Sequence, residues 1–136
     1  MTPDTLATTH ARAFVATRGW SALEFAALLA SPGIILTGDA TAFVLGRVTL
    51  DEAEVLTLAT DPALQRRGLA RAALAAFEAQ ARAAGAEKAF LEVAEDNHPA
   101  KALYAAASYA QVGRRPGYYA TLTGNRVAAL ILQKLL

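Results

Sequence analysis

Residues 58–70, which read LATDPALQRRGLA, constrain the fold more than any other stretch of the chain. An apolar, strand-like run ends at Asp61-Pro62, and a basic loop then leads into an alanine-rich helical pattern. The first turn of a helix leaves backbone N–H groups without partners and carries the positive end of the helix dipole. Gly68 lets the backbone approach a ligand closely, and the same turn carries three arginines. The stretch therefore predicts a strand–loop–helix unit that binds a phosphate or pyrophosphate group.

Other phosphate-binding motifs are absent from the sequence. There is no G-x-x-x-x-G-K-[ST] motif, so the lysine and the hydroxyl group that a P-loop protein needs are missing. There is no G-x-G-x-x-G followed by an acidic residue ~20 positions later, so a dinucleotide-binding fold has little support. The loop instead fits the pattern [QR]-x-x-G-x-[GA] between a strand and a helix. Taken alone, these six residues also fit a simple basic helix N-terminus.

The composition argues against several classes of protein. A chain of 136 residues is long enough for one domain, over residues 1–136, whose core needs neither disulfides nor metal. The chain has no cysteine and two histidines, His10 and His98, too few for a zinc cluster. Its net charge of +1 gives no general attraction to nucleic acid, and no apolar run is long enough to cross a membrane. The N-terminus shows no secretion signal, so we expect a cytoplasmic protein.

The periodicity of apolar residues and the turn signals predict an α/β fold. The expected order is two helices, an antiparallel hairpin with a turn at Gly38-Asp39, and then strand–helix–strand–helix–strand–strand. Ser21, with Glu24 three residues later, has the spacing of a capping box. Both strand–helix crossovers should be right-handed. The predicted helices cover residues 3–14, 21–29, 67–84 and 99–107, and the predicted strands cover 34–37, 41–50, 53–60, 88–94, 109–114 and 127–135.

Glu92 is a candidate for catalysis. It lies in residues 90–93, a run that is otherwise apolar, and a carboxylate in a buried strand is costly unless it is paired. As a general base, it could take the proton of an amine nucleophile, since an α-amino group has a pKa of about 7.7–8.0. The alternative is a solvated position on the sheet, because Lys88 and Phe90 share its parity.

Three polar residues downstream each have two interpretations. Tyr104, on a short helix, is either a core aromatic residue or a general acid that donates a proton to a departing thiolate or alkoxide. Asn97, just before that helix, is either an N-cap or a partner for the peptide-like arm of a cofactor. His98 fits an exposed helix start better than a ligand or a base.

Half of the 12 acidic residues fall near the ends of strands that flank the proposed phosphate-binding unit. As a group, they predict an acidic mouth that attracts a cationic amine or a basic peptide end. Taken one by one, they fit the solubility that charged loops provide. The six residues are Asp51, Glu52, Glu54, Glu92, Glu95 and Asp96.

Together these features resemble the GNAT N-acetyltransferases, and within them the RimI-type family of ribosomal-protein alanine N-acetyltransferases. The resemblance extends from about Trp20 to Leu136, and its motifs occur in the family's order and spacing. It implies a GNAT fold with a mixed, mostly antiparallel central sheet flanked by helices. The matching motifs are Trp20-Ser21, Asp51-Glu52-Ala53-Glu54, Thr60-Asp61-Pro62, residues 65–70, Leu91-Glu92-Val93, Asn97, Ala102-Leu103-Tyr104 and Arg114-Arg115-Pro116-Gly117-Tyr118-Tyr119.

The resemblance implies acetyl-CoA as the cosubstrate and no metal. Backbone groups of Leu58 and Thr60 would align the pantetheine arm and polarise the thioester carbonyl. The N–H groups of residues 66–71 would hold the pyrophosphate, and Asn97 matches an asparagine on the cofactor side. The cofactor-binding residues expected in this way are Leu58, Ala59, Thr60, Gln65, Arg66, Arg67, Gly68, Leu69, Ala70, Arg71 and Asn97.

The resemblance also implies a mechanism and an acceptor. Glu92 matches the family's base and Tyr104 its acid, with direct attack of the amine and no acyl-enzyme. The expected acceptor is the N-terminal alanine of a small-subunit ribosomal protein. The expected substrate-binding residues are Trp20, Asp51, Glu52, Tyr118 and Tyr119.

Three departures from the family pattern concern the sheet and the acceptor. The family's first strand is expected to be missing, because a helical pattern begins at Pro3. Ser108 stands where the family commonly has glycine, and Asn125-Arg126-Val127 replaces an acidic run. With no elongated tail for subunit exchange, we expect a monomer or weak dimer.

Two other functions stay open from the sequence. One keeps the chemistry and changes the acceptor to a small-molecule amine. The other is a non-catalytic module that binds acyl-CoA, against which the presence of both Glu92 and Tyr104 argues.

Overall fold

The computed structural model of the chain describes residues 1–14 and 18–136. Within these residues it has four α-helices, a 3-10 helix at Pro62–Leu64 and six strands. No helix of these two segments is long and apolar enough to cross a bilayer. The elements in chain order are α1 Pro3–Ala13, α2 Ala22–Leu29, β1 Ile34–Asp39, β2 Ala42–Thr49, β3 Glu52–Thr60, α3 Leu69–Ala83, β4 Lys88–Ala94, α4 His98–Ala106, β5 Ala110–Ala120 and β6 Arg126–Leu135.

The strands form one mixed sheet in the order β1-β2-β3-β4-β6-β5. Only the β3–β4 pair is parallel, and the other four pairs are antiparallel. The predicted α/β class with a mixed, mostly antiparallel sheet is therefore confirmed. No strand precedes α1 in residues 1–14, as expected from the helical pattern at Pro3.

Two boundaries predicted from the sequence were wrong. The β1–β2 turn lies at Ala40-Thr41 rather than at Gly38-Asp39, because Asp39 pairs with Ala42 and its carboxylate accepts hydrogen bonds from the backbone N–H groups of Thr41 and Ala42. Strand β5 continues past Pro116 to Ala120 instead of ending at Arg114. A proline has no N–H to donate, but β5 is an edge strand, where the sheet tolerates that loss.

Local signals explain where α2 begins. The Ser21 hydroxyl accepts a hydrogen bond from the Glu24 N–H, and the Glu24 carboxylate accepts one from the Ser21 N–H, each at 3.1 Å. This reciprocal pair is the capping box that the spacing predicted. It satisfies two of the N–H groups that every helix start leaves open.

The sheet separates two apolar clusters, because alternate side chains of a strand point to opposite faces. On the α3 face, Val44 packs with the buried helix residues Leu74 and Phe77 and with Tyr104 of α4. On the α1–α2 face, the buried residues are Leu6, Phe25, Phe43, Leu45 and Ala59. The consecutive residues Phe43 and Val44 thus serve different cores, and helices cover both sides of the sheet.

An irregularity in β3 opens the middle of the sheet. The β2–β3 register jumps from Leu45 opposite Thr57 to Gly46 opposite Val55, so Leu56 is an extra, bulged residue. The parallel pairing of β3 with β4 stops at Val55 opposite Leu91. Residues 56–60 of β3 and 92–94 of β4 continue without pairing to each other. We call this gap the β3–β4 opening, and it separates the two halves of the sheet.

Gly46 marks a place where only glycine fits. A Cβ atom there would lie 2.3 Å from the Phe77 ring and 2.6 Å from the carbonyl oxygen of Glu54. We predict that Gly46→Ala lowers the free energy of unfolding by about 1–3 kcal/mol, because strand and helix must separate. Urea unfolding followed by circular dichroism measures this.

The matched control is Gly113→Ala, also in a strand. Its Cβ would lie 3.0 Å from the terminal methyl of Ile131, which can rotate away. We expect this variant to unfold close to the wild-type urea concentration. Equal stability of the two alanine variants would contradict the close packing at Gly46.

Candidate active site

An open helix N-terminus lies at the end of the β3–β4 opening. After β3, the chain passes through the short Pro62–Leu64 helix, and Arg66 and Gly68 both adopt left-handed backbone conformations, with φ of 66° and 74°. Gly68 is the N-cap of α3 and provides no side-chain cap. Residues 65–69 are exposed. The N–H groups of the first turn of α3 therefore point into accessible space, an arrangement suited to binding an anion.

The three arginines of this turn do not act alike. The side chains of Arg66 and Arg67 are exposed beside the loop. The Arg71 guanidinium instead donates a hydrogen bond of 2.9 Å to the carbonyl oxygen of Ala106, in the last turn of α4. Arg71 thus ties α3 to α4 with its side chain, and only its backbone N–H belongs to the helix start. The carbonyl groups at the C-terminal end of α4 attract its positive charge, and a direct contact of Arg71 with a cofactor stays a prediction.

The other wall of the opening is the unpaired part of β3. Leu58, Ala59 and Thr60 pair with β2 on one side, while the side toward β4 has no strand partner in residues 18–136. Leu58 packs against the core of the α3 face, and Ala59 is buried on the α1–α2 face. These side chains fix the strand, so its remaining backbone groups are held at the edge of the opening.

Glu92 lies at the apex of the opening, one residue beyond the last β3–β4 pair. Its side chain shares a face with Lys88 and Phe90, opposite the buried Leu91 and Val93, and is 28% exposed. The carboxylate forms an ion pair with Arg115 at 3.3 Å. The predicted solvated position on the sheet is therefore partly confirmed, and the role of Glu92 as a general base stays a prediction.

Glu54 is a second carboxylate near Glu92, which the sequence analysis placed only among the acidic group. It faces Phe90 in the β3–β4 register. Burial raises the pKa of Glu54, and the negative charge of Glu92 raises it further, while Arg47 opposes both. The alternation Glu52-Ala53-Glu54 could have shown that Glu54 shares a face with the next strand's Glu92.

Tyr104 is almost fully buried, with 5% exposure, and packs edge-to-face on Tyr109 with ring centres 5.6 Å apart. Burial raises the pKa of Tyr104, and the charge of Tyr119 raises it further, so the phenol stays protonated at neutral pH. Residues 1–14 and 18–136 provide no hydrogen-bond partner for the Tyr104 hydroxyl. Tyr104 is thus a core residue with an available donor.

The residues at the start of α4 are partly engaged. The Asn97 side-chain oxygen caps α4 by accepting a 3.3 Å hydrogen bond from the Ala100 N–H. Its amide nitrogen has no partner within the described segments, so a contact to a cofactor stays a prediction. His98 is exposed at the first position of α4, as expected.

The β5–β6 hairpin carries two predicted substrate residues, Tyr118 and Tyr119, on the strand whose Arg115 pairs with Glu92. The rings of Tyr118 and Tyr119 meet edge-to-face, with centres 5.2 Å apart. Burial raises the pKa of Tyr119 to about 12, followed by the charges of Glu92 and Tyr118, while Arg115 opposes the shift.

The predicted acidic mouth is wrong as a single cluster. Asp51 and Glu52 lie at the start of β3, and Glu52 pairs with Lys88 at 3.2 Å. This end of β3 is roughly 25 Å along the strand from Thr60, the end that leads to the start of α3. Glu95, directly after the C-terminal end of β4, pairs with Arg114 at 2.8 Å. Substrate binding by Asp51 and Glu52 stays a prediction, and the structure does not bring them near Glu92.

Trp20 is fixed by a buried histidine that the sequence analysis passed over. His10 stacks on Trp20 with ring centres 5.0 Å apart, and its Nδ1 accepts a 3.1 Å hydrogen bond from the Trp20 N–H. The proton must therefore be on Nε2, which donates to the Thr57 hydroxyl at 3.0 Å. Thr57 follows the bulge in β3, so His10 connects the start of α2 to the opening.

The burial of His10 has a consequence for stability. Burial lowers the pKa of His10 to about 4 from an ordinary 6.5, while Glu24 opposes this and Arg18 adds to it. Between these values the unfolded chain binds a proton that the folded protein does not. We predict that the free energy of unfolding is highest above pH 6.5 and falls as pH decreases toward 4, by on the order of 2 kcal/mol.

Urea unfolding of wild type and His10→Gln between about pH 4.5 and pH 7.5 tests this prediction. The raised pKa of Glu54 gives a slope of opposite sign at the acid end, but it is present in both proteins and cancels in the difference. A difference curve that is flat across this range would show that His10 titrates normally.

Comparisons with known proteins agree with this geometry. The model of the acetyltransferase (GNAT) family matches residues 6–109. The chain is 37% identical over 91 residues to a [Ribosomal protein bS18]-alanine N-acetyltransferase of Haemophilus ducreyi, covering 67% of this chain and 63% of the relative. The match thus spans less than two thirds of that relative's length. The chain is also 37% identical over 119 residues to the N-alpha-acetyltransferase RimI of Mycobacterium tuberculosis, covering 81% of this chain and 73% of the relative.

A solved structure resembles the whole fold. The crystal structure of the ribosomal-protein-S18-alanine N-acetyltransferase from Escherichia coli superposes with a TM-score of 0.85 at 30% identity, covering 98% of this chain and 86% of the other. The resemblance inferred from the motifs is therefore confirmed by both sequence and structure. The chain belongs to the acetyltransferase (GNAT) family.

Proposed function

We propose that this protein transfers the acetyl group of acetyl-CoA to an N-terminal α-amino group of a protein. The observation that carries the proposal is the β3–β4 opening, which has the uncapped start of α3 at its end. Glu92 borders this gap on one face of the sheet, and Tyr104 lies in the core of the other face. A long, anionic thioester and an amine could therefore meet between a base and an acid.

The residues around the opening fit acetyl-CoA. The backbone edge of residues 58–60 offers donors and acceptors to the amide groups of the pantetheine arm, as a neighbouring strand would. The N–H groups of residues 66–71 would hold the pyrophosphate, with Gln65 and the side chains of Arg66 and Arg67 beside it. A Cβ at Gly68 would meet no atom within 4 Å, so there is room for a ligand at this point. The amide nitrogen of Asn97 would contact the arm.

The chemistry follows from the two side chains. Acetyl-CoA supplies an acetyl thioester. Glu92 accepts the proton that the amine loses as its nitrogen bonds to the acetyl carbon. The Tyr104 hydroxyl donates a proton to the sulfur as the carbon–sulfur bond breaks, and backbone N–H groups stabilise the charge on the acetyl oxygen. The products are an acetylated amine and the CoA thiol, and proton exchange with solvent restores both side chains.

The proposed acceptor is the N-terminal alanine of a small-subunit ribosomal protein. The support is that relatives at 35–37% identity carry the name [Ribosomal protein bS18]-alanine N-acetyltransferase. Trp20 and the tyrosine pair of the β5–β6 hairpin would hold the peptide backbone beside Glu92. A monomer or weak dimer in the cytoplasm, built as one domain over residues 1–136, stays our prediction for the working form.

The test is a panel of acceptors incubated with radiolabelled acetyl-CoA. It includes peptides that begin with alanine, the same peptides with a blocked N-terminus, lysine-containing peptides and free amines. We expect label only in peptides with an unblocked N-terminal alanine. Labelling confined to free amines would overturn the peptide acceptor, and binding without labelling would leave only an acyl-CoA-binding module.

A further inference from the structure

The ring of His10 is buried in an aromatic cluster on the α1–α2 face of the sheet. It is 3% exposed and stacks on the rings of Phe14 and Trp20, with ring centres 4.3 Å and 5.0 Å from its own. The Phe25 ring meets it edge-on at 5.6 Å. A polar ring in such surroundings is costly unless its nitrogens are bonded. His10 therefore depends on its two partners, the Trp20 N–H and the Thr57 hydroxyl.

The segment before α2 is shaped to bring Trp20 to His10. Gly19 lies so close to α1 that a Cβ there would be 3.0 Å from the Cα of Ala11. Directly after Trp20, the capping box of α2 begins at Ser21. The backbone is thus fixed on both sides of Trp20, whose N–H donates to Nδ1 of His10 at 3.1 Å. The Trp20 side chain is only half-buried, so part of its ring stays open to a ligand.

The other partner of His10 belongs to the wall of the β3–β4 opening. Thr57 lies two residues beyond Val55, the last β3 residue that pairs with β4. Its hydroxyl bonds to α1 through His10, so its side chain points to the α1–α2 face. Glu92 points to the same face, because the adjacent Leu91 belongs to the core of the α3 face. A peptide whose amine reaches Glu92 on this face therefore lies on the same side of the sheet as the His10 cluster.

We propose that His10 is a positioning residue for the acceptor peptide: its two hydrogen bonds fix Trp20 relative to the β3 wall of the opening. The inference rests on the proposed function, in which Trp20 holds the peptide. The bond from Nε2 to Thr57 leaves Nδ1 without a proton, and only in that form does Nδ1 accept the Trp20 N–H. A ring held in this way is already ordered when the peptide arrives, which lowers the cost of binding.

The test compares Thr57→Val, Thr57→Ser and Thr9→Val. Thr57→Val removes the hydroxyl that holds His10 at nearly constant size, and Thr57→Ser keeps that hydroxyl. Thr9→Val is the matched control, because Thr9 precedes His10 in α1 and is as buried as Thr57. Its hydroxyl donates to the carbonyl oxygen of Ala40 instead. Both valine variants lose one buried hydrogen bond, and only Thr57→Val releases the His10 ring.

The first measurement is kcat and KM for an alanine-starting peptide. We expect the peptide KM to rise about 3- to 10-fold in Thr57→Val, the equivalent of one hydrogen bond, with kcat and acetyl-CoA affinity little changed. A KM that rises alone shows that peptide binding was lost. Gly19→Ala, which pushes Trp20 away from α1 and removes no hydrogen-bonding group, should also raise it. Thr57→Ser and Thr9→Val should keep the wild-type KM.

The second measurement needs no turnover. Trp20 is the only tryptophan of the chain, so its fluorescence reports binding when the peptide is added to the protein saturated with CoA. We expect a change of Trp20 emission in the wild type, and a peptide Kd about 3- to 10-fold higher in Thr57→Val.

An active wild type whose peptide KM and Kd stay in place in Thr57→Val and Gly19→Ala overturns the role of His10 and leaves the proposed function standing. An equal rise of KM in Thr57→Val and Thr9→Val also overturns that role, because the loss would then follow stability alone. A wild type that acetylates no peptide overturns the proposed function. The fluorescence titration then decides the role of His10 by itself: weaker binding in Thr57→Val supports it, and no response of Trp20 to the peptide overturns it.

Discussion

Glu92→Gln is expected to lower turnover by ~10²–10⁴-fold, the usual contribution of a general base. The substitution keeps the shape of the side chain and removes its ability to accept the amine proton. Glu92 borders the opening without touching the helix start of α3, so the affinity for acetyl-CoA should change little. Steady-state kinetics with an alanine-starting peptide measures turnover, and calorimetry measures the binding of acetyl-CoA.

Glu54→Gln is the control for this experiment. Glu54 is a half-buried carboxylate on the neighbouring strand, so the same chemical change is made a short distance away. We expect turnover to fall less than ~10-fold, which is below the usual contribution of a general base. If the large loss appeared in Glu54→Gln and not in Glu92→Gln, the base would be Glu54, whose raised pKa also suits proton transfer.

Tyr104→Phe extends the same prediction to the acid. We expect a turnover loss of similar size, ~10²–10⁴-fold, because the phenyl ring keeps the packing and loses the proton donor. Tyr109→Phe is the matched control, since the Tyr109 hydroxyl donates a 2.8 Å hydrogen bond to the buried Glu78. That variant should lose stability rather than turnover. Unchanged rates in both Tyr104→Phe and Glu92→Gln would reject the assigned roles.

Gly68→Asp should weaken acetyl-CoA binding by ~10²-fold or more, because like charges placed together cost several kcal/mol. The added carboxylate would stand at the N-terminus of α3, where the pyrophosphate is proposed to bind. Aspartate tolerates left-handed backbone better than most residues, and a negative charge at a helix start is favourable for the helix. The protein should therefore stay folded while losing affinity, which calorimetry measures.

Two control variants separate charge from position. Gly68→Asn has nearly the same shape as Gly68→Asp without the charge, and it should bind acetyl-CoA far better. Gly85→Asp places the same residue at the opposite end of α3, at another glycine with positive φ and open space around it. It should lose some stability and keep its affinity. Tight binding by Gly68→Asp would mean that the pyrophosphate lies elsewhere.

The elements were predictable where short-range signals decide them. The Ser21–Glu24 capping box, the alternation of β4 and the apolar stripe of α3 all depend on residues within a few positions of one another. The loop around Gly68 was predictable for the same reason, because one glycine and a helix start define it. These signals place the proposed base, acid and phosphate-binding turn on their elements.

The arrangement between elements was not predictable. The bulge at Leu56 depends on how β2 and β3 pair, and no turn residue marks it in the sequence. The ion pair of Glu92 with Arg115 joins β4 to β5 across β6. The prediction of a single acidic mouth was wrong because the sequence does not show which strand ends are neighbours in the sheet. Long-range pairing decided each of these cases.

The gap between β3 and β4 also bears on the order of binding. This opening connects the two faces of the sheet. The carboxylate of Glu92 is on one face, and the phenol of Tyr104 is on the other. A thioester and a peptide could then occupy the protein together, each entering by its own side. We therefore expect a ternary complex and intersecting double-reciprocal plots, rather than the parallel lines of a ping-pong enzyme.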